Sequence, residues 1–323
     1  MKRLLVPFIL IMVLVISACG NAGNGSSSTG ASESANNGSE QTKDSGQVPV
    51  ESGTITYQSE SGPIEVPANP QRVVVLSTYT GDLISLGVNV VGVDSWAMAN
   101  PKFKEKLPGA VEVSDENLEK IIELDPDLII GSSDNKNLDK LKEIAPTVTY
   151  TYGKVDYLTQ HLEIGKAVNK EKEAQAWIDD FKQRAQTLGD EIKAKLGEDT
   201  TVTVMESFDK QMYVFGDNWG RGTEILYQQM GLKMPEKVKE MALKDGYYAI
   251  SSEVLSEYVG DYLVFSKSAE QDNSFQETST YKEIPAVKNG HVFEANASEF
   301  YFNDALTLDS QLEFFREHFL GNE

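Results

Sequence analysis

The 323-residue chain holds one cysteine and three histidines, too few for a disulfide framework or a cysteine-rich zinc site. It is short of base as well: 29 Lys and Arg stand against 50 Asp and Glu, a formal charge of −21. That balance speaks against a phosphate-reading protein, so nucleic acid is not an expected partner. Beyond the first 20 residues no stretch is apolar enough to cross a bilayer. Also missing are H-E-x-x-H, G-x-S-x-G, a Walker loop and C-x-x-C, the signatures of zinc proteases, serine hydrolases, nucleotide hydrolases and dithiol enzymes. A non-enzyme is expected, with length enough for one large domain or two of ordinary size.

What is present begins at the N-terminus. Lys2 and Arg3 precede an apolar run from Leu4 to Ile16, then Ser17-Ala18-Cys19-Gly20, so residues 1–18 read as a signal peptide rather than as fold. Ile16-Ser17-Ala18-Cys19 resembles a bacterial lipobox, in which the cysteine is diacylated and opens the mature chain. An ordinary secretory signal with a chance cysteine is the competing reading, but Cys19 is the only cysteine in the sequence. From Asn21 to Gln47 there is no aromatic residue and no aliphatic larger than alanine. Residues 19–52 are therefore expected to form a flexible, lipidated tether at the extracellular face of the membrane. Losing Lys2 and Arg3 with the signal takes the charge from −21 to −23.

From Gly53 short apolar runs alternate with amphipathic stretches. Residues 54–58 and 64–66 read as a hairpin, and 72–76, 88–93, 128–130 and 147–152 as strands. Helices are expected at 80–86, 118–124 and 138–144. Ala174, Trp177, Ile178, Phe181, Ala185, Leu188, Ile192 and Leu196 follow helical spacing on one face of a helix roughly 40 Å long. After Gly197 the alternation restarts, with strands at 201–205, 212–215, 262–265 and 291–294 and helices at 223–230, 253–258 and 306–319. The expectation is an α/β fold of two Rossmann-like lobes, residues 53–168 and 198–323, joined by a long helix at 169–197. A single doubly wound domain with one long surface helix is the rival.

Candidate binding residues come from aromatics set among loop-forming residues. Gly216-Asp-Asn-Trp-Gly-Arg-Gly222 follows a strand without dinucleotide-loop spacing, and it puts Trp219 and Arg221, with Tyr213 of that strand, at the mouth of the second lobe. Phe300-Tyr301-Phe302 falls after another strand, while Tyr79, Trp96, Tyr150 and Tyr152 end or follow strands of the first lobe. Core filling is the competing reading for all of these aromatics. His161, His291 and His318 read as surface or capping histidines.

Together these segments resemble a known family. The lipobox and tether, Asn117-Leu-Glu-Lys-Ile-Ile-Glu-Leu-Asp-Pro-Asp-Leu-Ile-Ile130, Asn218-Trp-Gly-Arg-Gly-Thr-Glu-Ile-Leu-Tyr227 and Tyr301-Phe-Asn-Asp304 are similar to Gram-positive lipoproteins that bind ferric hydroxamate siderophores for ABC importers. The resemblance implies a class III periplasmic-binding-protein fold with a shallow cleft, and a protein that is a monomer. It further implies that Trp219, Arg221, Tyr213 and Tyr301 contact the siderophore, Tyr301 standing where relatives often carry tryptophan. Glu119 and Glu253 would be the carboxylates, one per lobe, that dock onto the permease; ordinary solvated glutamates are the competing reading. Iron would stay coordinated by the siderophore, with no resident cofactor and no protein metal ligand. A basic pocket for an anionic tris-catecholate is not evident, and the overall negative charge would repel one. The alternatives are a binder of another iron chelate, haem or cobalamin, with Met212 or Tyr301 as axial candidates, or a surface-anchored enzyme.

Overall fold

The computed structural model describes residues 53–321; the signal-peptide and tether readings, with Cys19, lie outside them. Apolar quartets become the central strands. Val73–Leu76 is buried at every position, as a strand covered by helices on both faces must be. After a hairpin of β1 (Thr54–Ser59) and β2 (Gly62–Pro67), it forms β3 of a five-stranded sheet with β4 (Val90–Val93), β5 (Val111–Glu112), β6 (Leu128–Ser132) and β7 (Thr147–Tyr150). The order is β5-β4-β3-β6-β7 and every pairing is parallel. The connections carry α1 (Thr80–Ser85), α2 (Ser95–Ala99), α3 (Pro101–Lys106), α4 (Leu118–Glu123) and α5 (Leu138–Ile144).

Two helices then leave this sheet, α6 (Tyr157–Ala167) and the 26-residue α7 (Glu171–Leu196). Glu171 and Glu173 lie in the first turn of α7 and Lys193 and Lys195 in the last, each sign at the end where the helix dipole favours it. Ala174 packs into the core of the first sheet, whereas Ile178, Phe181, Ala185, Leu188 and Ile192 pack into that of the second. The periodic face thus passes from one core to the other, as its length requires.

The second sheet contains β8 (Val202–Phe208), β9 (Gln211–Phe215), β10 (Tyr247–Ile250), β11 (Tyr262–Lys267) and β12 (Val292–Asn296). Its order is β10-β9-β8-β11-β12, parallel from β8 through β11 to β12 and antiparallel at β8–β9 and β9–β10. Two separate sheets exclude the single doubly wound domain. Residues 223–230, expected as an ordinary helix, are π-helical over Glu224–Gln229, and the turn near residue 253 is a 3₁₀ segment, Ser252–Glu257. A closing helix, Ala305–Leu320, returns to the first half: Asp82 of α1 accepts a hydrogen bond from the Ala305 N–H at 3.0 Å, and Phe302 enters the first core.

Candidate functional site

The site is built on the turn after β9. Gly220, Arg221 and Gly222 all have positive φ, +69°, +59° and +84°, so the chain reverses sharply enough to bring Arg221 back beneath Trp219. Glycine is required at 220 and 222 for space as well. A Cβ on Gly220 would lie 2.4 Å from the Tyr301 carbonyl oxygen, and one on Gly222 would lie 2.6 Å from the Phe315 ring. The turn is pinned from below by Glu224, whose Oε1 accepts from the Gly220 N–H at 3.0 Å and from Asn303 Nδ2 at 2.9 Å. Burial is the main influence on that carboxyl and pushes its pKa up, against the opposing hydrogen bonds. The Arg221 N–H donates to the Phe300 carbonyl at 2.7 Å, fastening the turn to the Phe300–Tyr301 segment.

Arg221 is held on several sides. Its Nε and Nη2 donate to Glu206 of β8 at 3.1 and 3.0 Å, and Nη1 donates to the Trp219 carbonyl at 3.1 Å. Its Cζ lies 4.8 Å from the centre of the Tyr301 ring and 5.0 Å from that of Phe215. Three of the five guanidinium N–H groups are therefore engaged, and two find no partner among the described residues. Burial, more than the nearby Glu206 carboxylate, pushes the Tyr301 phenol up, so the ring stays neutral.

The expected aromatics divide into three groups. One is a chain of rings: Tyr213 against Tyr247 at 5.8 Å, Tyr247 against Trp219 at 4.9 Å, and Trp219 against Tyr152 at 6.1 Å. Tyr152 comes from the first half, is 55% exposed, and with Trp219 and Tyr79 lines a cleft of about 800 Å³. The second group is Trp96 against Tyr301 at 5.3 Å, lining a smaller compartment of about 360 Å³. Arg221 touches both groups, through the Trp219 carbonyl and the Tyr301 ring. Trp96 does not sit in a loop: Asp94 caps α2 by accepting the Ala97 N–H at 2.8 Å, and Trp96 projects from that short helix 51% exposed.

Tyr150 is the third case and corrects the expectation. It is only 2% exposed, packs edge-on to Tyr79 at 5.3 Å, and donates its hydroxyl to the Glu163 carbonyl at 3.3 Å. It belongs to the core beneath the cleft rather than to the wall, because it is the inward-facing end of β7. Glu119, in the first turn of α4, and Glu253, in the 3₁₀ turn, are exposed, one in each half of the chain.

Two residues that share in this geometry were not among the sequence candidates. Glu206 lies in an apolar run that its charge interrupts, and Tyr247 lies in a strand with no alternating pattern. Asp245-Gly246 before Tyr247 was the available signal, since an Asp-Gly pair marks a turn into a strand. Gly246 has φ +82°, and a Cβ there would lie 2.6 Å from the Trp219 ring. The absence of a side chain at 246 lets Trp219 lie against the backbone.

Comparison with known proteins agrees with this architecture. Residues 73–299 match the family described as periplasmic binding protein. The iron(3+)-hydroxamate-binding protein FhuD of Bacillus subtilis (strain 168) is 36% identical over 317 residues, covering 96% of this chain and 95% of that protein. The iron(3+)-hydroxamate-binding protein YxeB of the same organism is 33% identical, covering 96% and 94%. Among solved structures, FhuD2 from Staphylococcus aureus with bound ferrioxamine B aligns with a TM-score of 0.74 at 36% identity, over 78% of this chain and 98% of that one. On this evidence the chain belongs to the periplasmic binding protein family and is a homologue of its iron(3+)-hydroxamate-binding members.

Proposed function

We propose that this protein binds ferric hydroxamate siderophores outside the cell and delivers them to an ABC permease for iron uptake. The observation that carries the reading is Arg221: a guanidinium with two unused N–H donors, held where aromatic rings from both halves of the chain converge. A ferric tris-hydroxamate offers oxygens around the metal and an apolar organic shell. The two donors suit the oxygens, and Trp219, Tyr152, Tyr247, Tyr301 and Trp96 suit the shell. Iron is cargo here, fully coordinated by its chelator, so the protein's task is to recognise the chelate and release it intact.

In this reading residues 53–168 and 198–323 act as lobes, with 169–197 as their link. Cys19 carries the lipid, residues 19–52 tether the body to the outer face of the membrane, and Glu119 and Glu253 meet the permease. The protein works as a monomer. The haem alternative loses one axial candidate, because Met212 is packed in the core of the second sheet.

Tryptophan fluorescence tests the reading. Trp219 and Trp96 lie at the two compartments, whereas Trp177 donates to Asp309 at 3.0 Å and stacks on Phe181, away from them. Ferrioxamine B or ferrichrome is expected to quench a large part of the emission, and Trp219→Phe to remove much of that response. Emission indifferent to every ferric hydroxamate would overturn the function.

A further inference from the structure

β8 is buried from Val202 to Ser207, and Glu206 is the only charged side chain in it, 1% exposed. A lone carboxylate is not tolerated in such a strand. Arg221 satisfies both of its oxygens, with Nε on Oε2 at 3.1 Å and Nη2 on Oε1 at 3.0 Å, and the Ser266 hydroxyl of β11 donates to Oε2 at 2.6 Å. The pair is therefore a unit without net charge, held against the Trp219 carbonyl and the Tyr301 ring that border the two compartments. An arginine lacking that partner would be an anion receptor.

We infer that Glu206 is the specificity-determining residue of the cleft: it aims the two free N–H groups of Arg221 and cancels the guanidinium charge, so that neutral and cationic chelates are accepted and anionic ones rejected. This rests on the proposed function. Other charges near Arg221 do not undo the cancellation. The smaller compartment is lined by Glu270 and by no lysine or arginine. The larger has Lys154 and Lys244 against Asp82, Asp156, Asp217, Glu224 and Asp245, and Lys154 is already paired with Glu60 at 3.1 Å. Around the chelate oxygens the paired Arg221 is the cation that counts, and Glu206 sets its charge.

Three ferric complexes on one scaffold test this in the full chain: ferrioxamine B, with one positive charge on its amine arm, its neutral N-acetyl derivative, and its N-succinyl derivative with one negative charge. The wild type is expected to bind the succinyl derivative most weakly. Glu206→Gln keeps the size and hydrogen-bonding capacity of the side chain and removes its charge. It should raise the affinity for the succinyl derivative relative to ferrioxamine B by about tenfold, the effect of a unit charge felt across about 12 Å at an effective dielectric constant of about 20. Glu206→Asp keeps the charge but draws the carboxylate back, so it should weaken all three complexes and preserve the wild-type ratios.

If Glu206→Gln fails to fold, Glu206→Gln combined with Arg221→Gln replaces the ion pair by a neutral pair, which should fold and keep wild-type ratios at reduced affinity. An unchanged succinyl-to-amine ratio in Glu206→Gln would overturn the inference, because a merely structural glutamate weakens all three complexes alike. A shifted ratio in the double variant would overturn it as well. Failure of the wild type to bind any of the three is a different result, and it counts against the proposed function itself.

Discussion

Arg221 adopts φ +59° between two glycines that are also left-handed, a conformation few residues with a Cβ accept. Its ion pair with Glu206 and its hydrogen bond to Phe300 hold it there. With Arg221 as the proposed siderophore contact, stability and affinity are linked at this residue. Arg221→Ala is expected to weaken siderophore binding, and also to destabilise the fold by about 3–5 kcal/mol, because Glu206 is left buried without a partner. Adding Glu206→Gln should restore much of the stability and none of the affinity, as read by urea unfolding beside ligand titration. Restored affinity would remove Arg221 from the site. Trp219 and Arg221 stood out as candidates because glycines bracket them in a loop. Glu206 was not: a carboxylate at the end of Val202-Thr-Val-Met205 looks like the end of a strand, and the arginine that neutralises it lies fifteen residues later. Tyr150 misled for a related reason. The end of a strand opens equally onto a cleft and onto a core, and the helix that covers it, α6, is not implied by the strand.

The closing helix is the element with a titratable root. Asp304 is its N-cap, accepting the Thr307 N–H at 2.9 Å, a contact that favours the carboxylate. Burial opposes it, and so does Asp82, which lies across the junction and pushes the Asp304 carboxyl up to about 8 from the ordinary 3.8. In the folded protein the buried Asp304–Asp82 pair then holds a proton that the unfolded chain releases near pH 4, so stability falls as pH rises from about 4 to about 8. Thermal unfolding across that window should show this slope, and Asp304→Asn, which caps almost as well, should flatten it. An equal slope in the variant would place the proton elsewhere. Gly189 tests packing at the same scale. It lies on the buried face of α7, and a Cβ there would be 2.4 Å from the Met230 carbonyl oxygen. Gly189→Ala should cost about 1–3 kcal/mol despite alanine's better helix propensity. The long helix was readable from its period. The π-helical turn at Glu224–Gln229 was not, since its first residue, Glu224, is buried and tied to the Gly220 N–H and to Asn303, contacts its own sequence does not show.

At the scale of the molecule, the alternation of strand and helix announced two sheets and the helix between them, but not how firmly the halves are sewn together. Those contacts join residues far apart in sequence, as when Asp82 receives the Ala305 N–H across 223 residues. Leu158 of α6 packs into the second core and Phe302 into the first, so each half holds a side chain of the other. With Glu119 and Glu253 as docking contacts, Glu119→Ala with Glu253→Ala should leave ligand titrations unchanged and abolish uptake in cells. Weakened binding in that double variant would argue against a docking role. The cross-stitching has a further consequence. In the docking reading the two glutamates stand one on each half of a frame tied together through both cores, and neither lines the cleft, like the two pins of one plug. The permease would accept empty and loaded copies alike, so a rising excess of unloaded protein should slow transport by occupying the port.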